Sequence, residues 1–192
     1  MKDTFEITSG HLVFSDPCYT PPTITVRCLN GRYNAWIEKD KEGRIKELSF
    51  CSVNYSTGEF LSLPAEIDVD LHVDSGQFGV FDKEFYHNDG VITEADKGAD
   101  EGVCDDEPFY NACTTHTLSD RSFGCMTKGA VSSSGYGDGC YEGLLYVDKK
   151  IDKIVAGRVI FIEDSGEIDK LGDVRMAKSV KVCLTEEKQN DP

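Results

Sequence analysis

Three short stretches of the chain carry the residue types that could do chemistry: Phe14-Ser15-Asp16-Pro17-Cys18-Tyr19, Val73-Asp74-Ser75-Gly76-Gln77 and Ser132-Ser133-Ser134-Gly135-Tyr136-Gly137-Asp138-Gly139-Cys140-Tyr141. Each is an apolar run that ends in a small polar cluster holding one aspartate. The third cannot be a core strand or helix, because its glycines supply no packing surface and admit backbone conformations that other residues avoid; it reads as a shaped loop. Strand ends in an antiparallel fold can meet at one rim, which would bring Asp16, Asp74 and Asp138 together. The competing reading is local: each aspartate caps its own turn through nearby backbone amides.

A shared rim allows two kinds of chemistry. As a cup that binds without turnover, Asp16, Asp74, Ser75, Gln77, Ser133, Ser134, Gly135, Gly137 and Asp138 would hydrogen-bond a small ligand. A nucleotide-like metabolite could be held through the amides exposed by the glycines. As a hydrolase, the three carboxylates would hold a divalent cation, Mg²⁺ or Ca²⁺, that polarises a phosphate or activates water. Cys18 or Ser75 could serve as a nucleophile only with a base in reach, and His11 and His72 are the candidates. The metalloprotease, serine-hydrolase and phosphate-loop signatures are absent, and Gly135-x-Gly137-x-Gly139 is not followed by a helical pattern, so it fails the dinucleotide fingerprint. Binding without turnover is the first expectation.

The combination Ser-Asp-Pro-Cys-Tyr, Val-Asp-Ser-Gly-Gln and Ser-Gly-Tyr-Gly-Asp-Gly followed by Tyr resembles an uncharacterised family of small bacterial and phage proteins, known mainly as a domain of unknown function. The resemblance runs from about Ile7 to Ile162. It implies that Asp16, Asp74, Ser75, Gly76, Gly135, Gly137 and Asp138 form a shared feature, and it implies no activity. The chain departs from the pattern in an acidic insertion between Asp89 and Glu107 and in its abundance of cysteine.

The elements that must position these clusters read as mainly β, α+β at most: an antiparallel meander or sandwich of short strands with one short helix. Phe5 to Thr8 and His11 to Phe14 read as a strand pair around Ser9-Gly10. Ile24 to Cys28 and Tyr33 to Ile37 read as a hairpin around Asn30-Gly31, extended by Ile45 to Val53 into a three-stranded meander that Trp36 anchors. Glu66 to Asp74 alternates cleanly, with Ile67, Val69, Leu71 and Val73 on one face and the ionisable residues, His72 among them, on a wet one. Asp74 to Gln77 forms a bend or bulge before the apolar run to Phe81. Pro108 predicts the first turn of a helix whose apolar side is Phe109, Ala112 and Cys113. Ser122 to Val131 is strand-like, and Leu144 to Val147 with Ile154 to Ile162 predicts a central hairpin. Val180 to Leu184 reads as an edge strand and 185–192 as a polar tail. We read no internal repeat and no linker, so a single domain is expected over 1–192.

The formal charge of −15, from 35 acidic against 20 basic residues, repels phosphate backbones and anionic lipid surfaces. It argues against nucleic-acid and membrane partners. It leaves a basic protein partner open, met through the exposed acidic loop at 89–107 in the manner of an inhibitor or interaction module. With no apolar leader at Met1-Lys2-Asp3 and no long apolar run, the expected location is cytoplasmic, and the eight cysteines are expected as free thiols. No C-x-x-C occurs, which disfavours a structural zinc site.

Overall fold

The computed structural model describes residues 3–56, 58, 60, 63, 65–97 and 107–163. The edge strand expected at Val180 to Leu184, the polar tail and residues 98–106 of the acidic segment lie outside the described residues. Among the described residues the strands are β1 (Asp3–Ile7), β2 (His11–Ser15), β3 (Ile24–Arg27), β4 (Gly31–Lys39), β5 (Ile45–Ser52), β6 (Ala65–Val73), β7 (Gln77–Asp82), β8 (Phe123–Met126), β9 (Gly129–Ser133), β10 (Gly139–Asp148) and β11 (Lys153–Ile160); helix α1 spans Pro108–Leu118. They form two antiparallel sheets, one in the order β1-β4-β5-β11-β10-β6 and the other β3-β2-β7-β9-β8. The mainly β expectation holds, with the helix where Pro108 places it. No helix among the described residues is long and apolar enough to cross a membrane.

The core lies between the sheets. Phe5, Ile7, Leu12, Phe14, Tyr33, Phe50, Leu71, Phe78, Leu145 and Val159 are buried in one cluster, and Phe14 sits at its centre, with ring centroids 4.9 Å from Phe78 and 5.8 Å from Phe50. Strands β2 and β7 are buried on both faces, because α1 covers the far side of their sheet: Val13, Phe81 and Val131 pack there against Phe109, Ala112 and Cys113. Residues buried on both sides explain why His11 to Ser15 and Gln77 to Asp82 read as continuous apolar runs rather than alternations. The first turn of α1 is capped at a distance, the Phe109 amide donating to Asp89 Oδ1 at 2.8 Å.

Two expected hairpins are corrected. The Phe5–Thr8 and His11–Phe14 strands do not pair, since β1 bonds to β4 and β2 to β3 and β7. Likewise β3 belongs to one sheet and β4 to the other, so Asn30-Gly31 joins the sheets instead of turning a hairpin, and the expected meander loses its first strand. In both cases the apolar residues on either side of the turn face each other across the sandwich, which a flat hairpin would not allow. The hairpins β4–β5 and β10–β11 do form.

The chain also contains a repeat, contrary to the sequence reading. The order β1-β4-β5-β11-β10-β6 is the same read from either end if β1, β4 and β5 answer to β6, β10 and β11. In the second sheet β2 and β3 answer to β7 and β9, while α1 and β8 are extra to the second half. Local register agrees: Ile7 faces Gly31 and Phe5 faces Tyr33, just as Val73 faces Gly139 and Leu71 faces Tyr141. A pseudo-twofold axis therefore passes where Phe14 faces Val80 in one sheet and where Ser49 faces Arg158 in the other. Beneath it lies a faint sequence match, Ile7-Thr8-Ser9-Gly10 before a strand that runs up to Asp16 and Val73-Asp74-Ser75-Gly76 before a strand that ends in Asp82.

Candidate functional site

The two halves meet at two corners, one at each end of the β2–β7 pair, and each corner is built on a fully buried aspartate. Asp16 directly follows β2. Its Oδ2 accepts the amides of Asp74 at 2.8 Å and Ser75 at 2.9 Å, and its Oδ1 accepts the Cys18 amide at 2.8 Å and the Ser75 hydroxyl at 2.6 Å. Asp82 ends β7 and repeats the pattern: Oδ2 accepts the amides of Thr8 and Ser9 and the Thr8 hydroxyl at 3.1 Å, and Oδ1 accepts the Glu84 amide at 2.9 Å. Each carboxylate satisfies the amides of a turn that leaves one sheet for the other and has no ladder partner there. The glycine that follows each turn takes a left-handed conformation, φ 74° at Gly10 and 67° at Gly76, which favours glycine at that place. The match continues outward: the Cys28 amide donates to Gly10 O at 3.0 Å and the Ser134 amide to Gly76 O at 3.0 Å, while the hydroxyls of Tyr33 and Tyr141 donate to Leu29 O at 2.6 Å and Gly137 O at 2.7 Å.

The three clusters singled out by sequence thus do come together, at the Asp16 corner. Asp16 stitches the turn at Asp74 and Ser75, and the Ser134 amide joins the serine and glycine loop to Gly76. Most of the polar groups expected to face a ligand are engaged within the corner. Ser75 donates to Asp16. Gln77 is buried, its Oε1 accepting from the Thr117 hydroxyl of α1 at 2.9 Å. The Ser134 hydroxyl donates to Gly137 O at 2.8 Å and the Gly137 amide to Ser134 O at 3.2 Å. Gly135 is a close approach, where a Cβ would lie 2.8 Å from Ile45 O and 2.9 Å from Phe161 Cβ. Ser133 is half-buried beside Ser132, whose buried hydroxyl has no hydrogen-bond partner.

What faces outward is acidic and aromatic. Asp74 and Asp138 are exposed, and burial together with the neighbouring Asp74 carboxylate raises the pKa of the Tyr19 phenol. Tyr136 is 65% exposed, with the Arg44 guanidinium 4.6 Å from its ring centre. The loop at Pro17 to Thr23 is held against the corner by the Tyr86 hydroxyl, within reach of the carbonyls of Asp16 at 2.8 Å and Tyr19 at 2.7 Å, and by the Thr23 amide donating to the Ser15 hydroxyl.

Catalytic chemistry finds little footing in these residues. Burial, Asp16 and Asp74 push the Cys18 thiol up to about 12, which starves it of thiolate at neutral pH. The Ser75 hydroxyl meets a carboxylate and no imidazole. His11 turns a ring nitrogen to the Ser9 carbonyl, and His72 lies beside Cys140. Among the described residues no group of three or more His, Cys, Asp or Glu side chains is arranged to hold a metal ion, and both oxygens of Asp16 are already taken by amides and a hydroxyl. Nor is the acidic segment wholly a surface: Asp89 caps α1, and Asp96 is fully buried, accepting from Thr93 and Thr127.

Sequence reasoning missed Asp82, the tyrosines Tyr33 and Tyr141, and the neighbourhood of Cys140 and His72. The signal for Asp82 was present, because an aspartate follows a Ser-Gly step by six residues in both places, Gly10 to Asp16 and Gly76 to Asp82. Comparison with protein-family profiles, with curated proteins and with solved structures finds no match to this chain.

Proposed function

We propose that the protein is a non-catalytic binding domain whose Asp16 corner takes a small cationic ligand, an amine or guanidinium, between Asp74 and Asp138. The observation that carries this reading is the difference between two otherwise matching corners. At the Asp82 corner Asn30 donates its side-chain amide to the Thr8 carbonyl at 3.0 Å, and Lys128 donates to the Thr8 hydroxyl at 2.7 Å. Under the pseudo-twofold Thr8 answers to Asp74 and Asn30 to Asp138. The neutral pair of one corner is a pair of carboxylates in the other, and among the described residues no ion pair includes either of them. A carboxylate cannot donate to a carbonyl, so both groups remain as acceptors that a cation can satisfy through charge-assisted hydrogen bonds. The engaged amides of the serine and glycine loop argue against the anion-binding, nucleotide-like variant of the cup.

Calorimetry at low ionic strength tests this with spermidine and AMP as probes. Spermidine binds, Asp74→Asn and Asp138→Asn each weaken it about tenfold, and Asp120→Asn on the exposed surface does not. Binding of AMP without spermidine, or equal losses at all three positions, overturns the reading.

A further inference from the structure

On the outer face of the six-stranded sheet, Cys140 of β10 stands directly opposite His72 of β6. Both are exposed, and Cys140 Sγ lies 3.1 Å from His72 Nδ1. Directly opposed residues in an antiparallel pair hold their Cβ atoms close, so this contact is set by the register of two strands and not by a loop. The same place in the first half carries Glu6 opposite Arg32, so the thiol–imidazole pair is particular to the second half. The next opposed pair on this face is Asp70 with Glu142, and Asp74 and Asp138 follow at the strand ends, so the thiol sits in an anionic field.

We propose that Cys140 and His72 form a reactive thiol site that undergoes exchange with small cationic or neutral disulfides. The Cys140 thiol gives its proton to His72, and the thiolate attacks one sulfur of the incoming disulfide. The external S–S bond breaks as the Cys140–S–S–R bond forms, and the leaving thiolate takes the proton from the imidazolium. No electrons are gained or lost overall, and excess small thiol reverses the step. The surrounding carboxylates attract cationic disulfides and repel anionic ones.

Cys18 supplies the internal control, since it too is exposed but has an aspartate where Cys140 has an imidazole. The full-length protein is treated with limiting iodoacetamide, and separately with cystamine or oxidised glutathione, and the modified cysteines are identified by peptide mass mapping over time. Cys140 is modified about tenfold faster than Cys18. His72→Gln slows Cys140 by a similar factor and leaves Cys18 unchanged, and cystamine outpaces oxidised glutathione at Cys140 by about tenfold at low salt. Equal rates at Cys140 and Cys18, or a Cys140 rate indifferent to His72→Gln, overturns the dyad. Equal rates with the two disulfides overturns the charge preference. Both side chains are on the surface, so His72→Gln and Cys140→Ser leave the fold intact, which thermal melts check.

Discussion

The corners at Asp16 and Asp82 share a skeleton and differ in what surrounds it. Each has a buried carboxylate gripping two consecutive amides, a left-handed glycine and a tyrosine hydroxyl on the carbonyl four residues before it. One corner is closed by Asn30 and Lys128. The other carries Asp74 and Asp138 and has a longer loop, with Gly135 and Tyr136 added between the matched positions. The parts that coincide are those whose removal strands buried donors, whereas the parts that differ are exposed and cost the fold little. The comparison therefore separates, inside one chain, the residues that the fold requires from those that it leaves free to vary.

The equivalence of the buried aspartates is the easiest point to break. Asp16→Ala and Asp82→Ala each leave several donors without an acceptor and should lower stability by about 3 kcal/mol or more, to similar extents, in urea titrations. A loss below about 1 kcal/mol at either site would show that its corner does not depend on the carboxylate. The acid limb sharpens the point for Asp82. Burial alone would raise its pKa, but the amides of Thr8, Ser9 and Glu84 outweigh burial and hold the carboxyl below its usual value. Its stabilising contribution is then complete above about pH 4 and fades as pH falls through the lower folded value. Asp82→Asn should flatten the loss of stability at acid pH relative to the native protein, and an unchanged acid limb would contradict this. The smallest effect is expected where the corners differ. Asp138→Asn restores the amide that Asn30 presents, and should raise stability by roughly 0.5–1 kcal/mol while weakening spermidine binding. A variant that is both less stable and unaltered in binding would dissolve the contrast between the corners.

Much of the fold could be read from the residues alone, because alternation, Pro108 and the two most apolar runs each act locally. The failures at Ser9-Gly10 and Asn30-Gly31 have one cause. A glycine turn between two apolar strands looks the same whether the strands pair side by side or face each other across a core, and distant acceptors decide: Asp82 for the amides of Thr8 and Ser9, and the carbonyls of Gly10 and Ile154 for the amides of Cys28 and Leu29. The convergence of Asp16, Asp74 and Asp138 segments was legible as a shared grammar of strand end and polar cluster. Asp82 escaped because Lys83 and Glu84 follow it where Pro17 and Cys18 follow Asp16, so its cluster did not look like the others. The repeat escaped for a related reason: identities survive at Ser9 and Ser75, Gly10 and Gly76, and Asp16 and Asp82, while in the strands between them only Leu12 and Phe78, and Phe14 and Val80, keep an apolar match, and His11, Val13 and Ser15 answer to Gln77, Gly79 and Phe81.

The pseudo-twofold axis lies on the seams β2–β7 and β5–β11, each of which joins a strand of the first half to a strand of the second. Neither half owns a closed barrier against water, since each lends strands to both walls and relies on its counterpart to finish them. The chain thus resembles a pair of interlocked hands and should melt in one cooperative step, and two fragments separated between β5 and β6 would be able to fold only in each other's company.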